Sequence, residues 1–181
     1  MPNTASTEDR VAIIQALAGR WPPGREFGRT KLVKCTYFLQ ALYQVPLGYN
    51  FSLYSYGPYD STVLDDLDYA KALGCVEVKT IHYPGGYGYE ISRAAQDIED
   101  DRNDFVHTHF NSINWVIKEF GSCSPSEMEL LATIVYADRE CPQQSIDTLV
   151  KQVRQVKPHF TKKQVMKQVS ILMGKSQLSA T

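Results

Sequence analysis

The sequence predicts an α+β protein that is mostly helical, with a small antiparallel sheet and a hairpin at its front and a helical rear. Apolar residues recur at helical spacing through most of the chain. Two aromatic segments, near residues 51–56 and 75–91, alternate as strands do. Capping residues that precede Glu or Gln by three positions mark helix starts in the second half.

The length of 181 residues predicts one domain over residues 1–181, with a front over 7–92 and a helical rear over 93–175. No apolar run approaches the ~18 residues of a membrane span, and the N-terminus lacks the pattern of a signal peptide. We therefore expect a cytoplasmic protein with no membrane partner. The four cysteines are too widely spaced for a metal clip or a disulfide framework, so no metal and no cofactor are predicted.

The front begins with two predicted helices. The first spans residues 7–20, with Thr7 as its N-cap, and the Trp-Pro-Pro-Gly sequence at 21–24 ends it. The second spans about residues 30–44. Its apolar stripe, which we expect to be buried, includes Leu32, Leu39 and Leu42, and its lysines at 31 and 34 lie on another face.

An aromatic strand over residues 51–56 follows, and Gly57-Pro58 is expected to end it. Asp60 or Ser61 then caps a third helix that stops at Gly74. A hairpin over residues 75–91 comes next, because Pro-Gly-Gly at 84–86 separates two alternating runs.

The rear is predicted to be helical throughout. A long helical stretch runs from Ser92 to about Phe120, with a soft boundary near residues 121–122. The Ser-Pro-Ser-Glu sequence at 124–127 begins the next helix, and another helix stops before Pro158. Thr161 and Gln164 form a capping box that begins the last helix.

The predicted order of helix, helix, strand, helix and hairpin resembles a winged helix, in which the helix before the wing usually enters the major groove. Here that helix contains four aspartates, at 60, 65, 66 and 68, against the single lysine at 71. Such an acidic helix is repelled by the phosphates of duplex DNA. The sequence therefore argues against DNA binding in the ordinary winged-helix manner.

The rear helices carry a cluster of positive charge. Seven Lys and Arg residues lie between 151 and 175, with no Asp or Glu among them. This pattern indicates a nucleic-acid-binding surface, or a solvated face that complements the acidic residues 60–104. The candidate nucleic-acid-binding residues are Lys151, Arg154, Lys162, Lys163 and Lys167.

The tyrosines suggest a surface of another kind. Four of the eleven lie between residues 49 and 59, and tyrosine suits protein recognition because it joins a rigid apolar ring to a polar hydroxyl. The other interpretation is that β-rich segments simply favour tyrosine. The candidate partner-binding residues are Tyr54, Tyr56, Gly57, Pro58 and Tyr59. No catalytic motif is present, so no catalytic residue is predicted.

Two separated motifs resemble a bacterial family. They are Lys31-Leu32-Val33-Lys34 with Tyr37-Phe38-Leu39-Gln40, and then Tyr56-Gly57-Pro58-Tyr59. Together they look like the YwgA-like uncharacterised proteins and, more distantly, the SocA-like antitoxin domain called Panacea. The resemblance covers about residues 11–92, and the rear helices match only in general character.

This resemblance implies a cytoplasmic, non-enzymatic interaction domain of antitoxin or regulatory type. SocA-like domains bind and neutralise toxin partners, so the expected partner is a protein, and a toxin is one candidate. The alternative is a nucleic-acid-binding transcriptional regulator that uses the basic rear helices.

Overall fold

The described part of the chain is mostly helical and contains two antiparallel hairpins, and this confirms the predicted α+β class. The structure is a computed structural model and describes residues 4–94 and 103–180. Its helices are α1 (Thr7–Arg20), α2 (Arg29–Tyr43), α3 (Thr62–Ala72), α4 (Asp104–Thr108), α5 (Phe110–Phe120), α6 (Pro125–Glu140), α7 (Ile146–Val156) and α8 (Lys162–Gly174). Its strands are β1 (Ser52–Tyr54), β2 (Gly57–Tyr59), β3 (Val76–Tyr83) and β4 (Gly86–Arg93). No helix in the described ranges is long and apolar enough to cross a membrane.

The chain divides into two compact units. The first contains residues 1–51 and 60–123, and the second contains residues 52–59 and 124–181. The β1–β2 hairpin therefore belongs to the second unit, although the chain on both sides of it belongs to the first. This grouping differs from the expected front and rear, because α4 and α5 also lie in the first unit.

The first unit is built around α1 and α2. The N-cap of α1 is Ser6 rather than the predicted Thr7, because the Ser6 hydroxyl accepts from the Asp9 backbone N–H while the Asp9 carboxylate accepts from the Ser6 N–H. Phe38 of α2 is fully buried and stacks on Phe120 of α5, with ring centroids 4.0 Å apart.

The apolar stripe of α2 was predicted correctly at Leu32 and Leu39, which are buried, whereas Leu42 near the helix end is only half-buried. The expected polar face was wrong, because Lys31 and Lys34 are 7% and 2% exposed. Lys31 Nζ donates to the Glu26 carbonyl at 2.8 Å and lies over the Trp21 ring. Burial lowers the pKa of Lys31. A long aliphatic stem allows lysine to be buried when its amine finds acceptors.

The β3–β4 hairpin was predicted correctly, but the helix expected from Ser92 was not. Ser92 and Arg93 pair with Glu77 and Val76 as the end of β4. The backbone N–H of Ile91 also donates to the Phe27 carbonyl, which ties this strand to the segment before α2. Residues 95–102, including most of the acidic run, lie outside the described residues. The remaining helical part consists of α4 and α5, which are separated at His109.

The second unit is centred on α6, which is buried on nearly all sides. β2, α7 and α8 all pack against it. Near its end, the fully buried Asp138 carboxylate accepts from the backbone N–H groups of Ser179 and Ala180, which holds the last described residues on α6. The predicted capping boxes at Ser124–Glu127 and Thr161–Gln164 are both present, and α7 ends before Pro158 as predicted.

Replacing Ser124 with alanine should destabilise the protein by about 1 kcal/mol near neutral pH, because the N-cap of α6 is lost. Hydrogen bonds from the Ser124 backbone and side chain hold the pKa of Glu127 below its usual range. Their contribution is therefore present above the ordinary carboxyl pKa and is lost as the pH falls through the lowered value.

The difference in unfolding free energy between wild type and Ser124→Ala, measured by urea titration, should accordingly shrink between about pH 6 and pH 3. Ser126→Ala, which changes the same residue type two positions away, is the control. A difference that stays constant over this pH range would show that Glu127 takes no part in the cap.

Candidate interaction surface on the hairpin

The predicted strand over residues 51–56 is in fact the first half of a two-stranded hairpin. Tyr54 pairs with Gly57, and Leu53 pairs with Pro58, so Ser55 and Tyr56 form the turn. Gly57 and Pro58 therefore begin a second strand rather than ending the first. Gly57 has a φ of 86°, a left-handed conformation that is strained for any residue with a Cβ. This backbone requirement explains the glycine of the Tyr-Gly-Pro motif.

The two faces of the β1–β2 hairpin differ in burial. Pro58 is buried and its partner Leu53 is half-buried, and β2 packs along α6. Tyr54 is 62% exposed and Tyr56, at the turn, is 73% exposed. The ring of Tyr59 is half-buried and meets the Tyr54 ring edge-on, with centroids 5.5 Å apart. The hairpin thus contributes two exposed rings, one supporting ring and two buried residues, Gly57 and Pro58.

A buried ion pair supports the turn from the protein side. Lys157 is 2% exposed, and its Nζ donates to the carbonyl of Ser55 and, at 3.5 Å, to that of Tyr54. The same Nζ lies 2.7 Å from Glu129 Oε1, in a close ion pair that is not aligned as a hydrogen bond. His159 Nε2 lies 3.7 Å from the same oxygen.

We call Lys157 and Glu129 the hairpin anchor. Its lysine bonds main-chain carbonyls, so it constrains the turn independently of which side chains the turn carries. A third side chain, Tyr136 of α6, also reaches the hairpin. Burial raises the pKa of Tyr136, and a backbone hydrogen bond with Leu53 opposes that rise. The hairpin backbone is therefore held at its turn and in β1.

Sequence reasoning did not find the hairpin anchor. Lys157 was counted with the basic rear, and Glu129 was not considered. A signal was nevertheless present, because α6 is apolar on almost every side from Met128 to Val135. A carboxylate inside such a helix is buried and requires a cationic partner.

The first motif of the resemblance has a structural role. Besides the buried lysines of α2, Gln40 uses both ends of its amide. Its Nε2 donates to the Tyr49 carbonyl at 2.8 Å, and its Oε1 accepts from the Tyr49 N–H at 3.0 Å. These two hydrogen bonds to the Tyr49 backbone fix the segment that leads toward the hairpin. These side chains are consequently internal supports of the first unit.

The basic candidates separate into two groups. Lys151, Arg154 and Lys162 line one cleft between α7 and the start of α8. Lys163 and Lys167 are exposed on α8 but do not line that cleft. Lys167 lies near Glu127 and contributes to lowering the pKa of that carboxyl.

The acidic helix α3 is less exposed than expected, because Asp66 is buried and bonded to Arg10 and Tyr49.

Within residues 4–94 and 103–180, no group of three or more His, Cys, Asp or Glu residues is placed to hold a metal ion. Cys35 is fully buried as expected of a small core residue, and burial raises the pKa of its thiol.

The fold and this surface define an α+β protein with a rigidly held aromatic hairpin. The chain matches no protein-family model, and no curated protein is significantly similar to it.

Proposed function

We propose that this protein is a non-enzymatic interaction module of antitoxin or regulatory type, which binds a partner protein through Tyr54 and Tyr56. The observation that carries the proposal is the exposure of both rings on a hairpin whose turn is fixed by a buried ion pair. Rings on a fixed backbone lose little conformational entropy on binding, so most of their burial energy becomes affinity. Tyrosine is also among the residues that dominate binding energy at interfaces.

The chemistry of the hairpin defines what the partner offers. Tyr54 and Tyr56 are separated by one residue, so the partner must offer two neighbouring apolar pockets for their rings. Each pocket also needs a hydrogen-bonding group at its rim for the tyrosine hydroxyl. The resemblance to SocA-like antitoxins makes a toxin one candidate for this partner. The contribution of Tyr59 is indirect, because its ring supports Tyr54 edge-on.

The test replaces both exposed rings. A photoreactive amino acid at position 52, an exposed serine of the same hairpin, first captures the partner in the native host, and the purified partner is then titrated by calorimetry. Tyr54→Ser with Tyr56→Ser should raise Kd at least about thirtyfold, since the loss of even one anchor residue costs about 2 kcal/mol or more. The free energy of unfolding should change by less than about 1 kcal/mol, because both rings are largely exposed.

The matched control is Tyr83→Ser with Tyr87→Ser. These tyrosines flank the tip of the β3–β4 hairpin and are 43% and 66% exposed. The two control substitutions should leave the Kd for the partner unchanged. Equal affinity of wild type and the Tyr54/Tyr56 variant, or equal losses in both double variants, would contradict the proposal.

The second candidate function is a nucleic-acid-binding regulator that uses α7 and α8. The observation that favours it is the convergence of Lys151, Arg154 and Lys162 on one cleft, with two further lysines exposed on α8. Binding by counterion release weakens steeply as salt rises. An oligonucleotide titration described below separates this candidate from a smaller ligand.

A further inference from the structure

A cleft of about 560 Å³ lies between the outer face of α7 and the first turn of α8. Its volume falls within the range of small-molecule sites, which is roughly 300–1,000 Å³. Five lining residues come from α7 at spacings of three and four, so they share one face of the helix. The lining residues are Asp147, Val150, Lys151, Arg154, Gln155 and Lys162.

The cleft brings together three cations and one carboxylate, so its lining carries a net positive charge. Lys151, Arg154 and Lys162 are exposed, and none of them forms an ion pair within the described residues. Arg154 offers a planar fork that can hold two phosphate oxygens, and each lysine adds a point charge. Three cations around one concave space favour a ligand with two or more negative charges.

The other lining groups favour an organic ligand. Val150 is 2% exposed and gives the cleft an apolar base, and the Gln155 amide can both donate and accept. Asp147 lies seven residues before Arg154, about 10 Å away along the helix axis. Its carboxylate repels phosphate near itself but can accept hydrogen bonds from ligand hydroxyls. The cleft is therefore polarised along α7, with its phosphate-binding end at Arg154.

We propose that this cleft binds the phosphate groups of a small organic phosphate, with Arg154, Lys151 and Lys162 as the phosphate ligands. A duplex fits the charge distribution less well, because DNA carries a charge every ~1.7 Å and needs an extended basic surface. Lys163 and Lys167 do not extend the lining. This site lies beyond the function proposed for the hairpin and does not depend on it.

Isothermal titration in about 0.1 M salt tests the site with three probes: inorganic pyrophosphate, ADP, and a single-stranded oligonucleotide without a terminal phosphate. Wild type should bind pyrophosphate and ADP, with ADP the tighter because Asp147, at the end of the cleft away from Arg154, can accept hydrogen bonds from the ribose hydroxyls. Arg154→Gln should weaken both about tenfold or more, as expected for a lost charge-assisted contact. Lys151→Gln with Lys162→Gln should have a similar effect.

Lys163→Gln is the matched control, since it removes the same charge from α8 outside the cleft. It should change binding less than about twofold, because an exposed charge is screened within roughly 10 Å. Unchanged thermal melting of every variant would show that the fold is intact. The variant with Tyr54→Ser and Tyr56→Ser should bind pyrophosphate like wild type. The phosphate site can therefore be tested even if the function proposed for the hairpin is wrong.

Three results would overturn the inference. They are no heat with pyrophosphate or ADP at millimolar concentration, an equal loss in Lys163→Gln and Arg154→Gln, and tighter binding of the oligonucleotide than of ADP. The last result would support the nucleic-acid candidate. Weaker binding of the oligonucleotide than of ADP supports the small-ligand site.

Discussion

Replacing Lys157 with methionine should lower the free energy of unfolding by about 3–5 kcal/mol, because Glu129 remains buried without its counter-ion. The carbonyl of Ser55 also loses its donor. Methionine has a similar length and fills the space, so the loss reports the charge and its hydrogen bonds rather than a cavity. Urea unfolding at pH 7 measures the change.

The double variant Lys157→Met with Glu129→Leu should recover much of that loss, since no unpaired charge remains in the interior. Lys162→Met is the matched control on an exposed lysine and should change stability by less than about 0.5 kcal/mol. If Lys157→Met were as mild as Lys162→Met, the hairpin anchor would not support the fold.

The double variant also distinguishes the effect of Lys157 on the free energy of unfolding from its effect on the position of Tyr54 and Tyr56. In the double variant, the hairpin carbonyls still lack the lysine donor even though the interior is neutral. Amide hydrogen exchange over residues 52–59 should therefore be faster than in wild type. If the hairpin function is correct, partner affinity should fall in this variant although Tyr54 and Tyr56 are unchanged.

Replacing Asp66 with alanine should cost about 3 kcal/mol of unfolding free energy, the second largest effect expected for a single side chain here. Asp66 is 4% exposed and joins two elements of the first unit. Its Oδ2 accepts from Arg10 Nε at 2.7 Å and from the Tyr49 hydroxyl at 2.8 Å. The hydrogen bond to Asp66 raises the pKa of Arg10, while burial followed by the nearby Asp66 charge raises that of Tyr49.

Asp65→Ala is the matched control, because Asp65 is the preceding aspartate of the same helix and is exposed. It should cost less than about 0.5 kcal/mol. Combining Asp66→Ala with Tyr49→Phe should cost less than the sum of the single changes, because the two side chains share one hydrogen bond. Strict additivity would show that the contact does not couple α3 to the segment before the hairpin.

Local signals accounted for the helices after residue 124 and for one of the two hairpins in the described residues. Ser124 with Glu127, and Thr161 with Gln164, satisfy backbone groups within one turn, so their effect can be read without knowing what the helix packs against. The turn between β3 and β4 could also be predicted from neighbouring residues, because its Pro-Gly-Gly sequence separates two alternating runs. The N-cap of α1 was displaced by one residue because Ser6 and Thr7 offer equivalent hydroxyls.

The Tyr-Gly-Pro segment shows where local signals became ambiguous. Glycine and proline together indicate the end of a strand, yet Gly57 and Pro58 start β2 in this protein. Proline has no N–H for a ladder, but a strand of three residues in a two-stranded sheet accommodates it. The prediction that Lys31 and Lys34 are exposed was wrong for a related reason, since local spacing does not show which segments pack over a helix.

The sequence by itself determined the α+β class, most helix boundaries and the identity of the aromatic and basic candidates, because these depend on spacing and capping within a few residues. Only the tertiary structure decided which candidates meet. It placed Lys157 under the hairpin turn and left Lys151, Arg154 and Lys162 around one cleft. Charge counts cannot make that distinction, since burial and ion pairing depend on contacts between residues more than a hundred positions apart, such as Ser55 and Lys157.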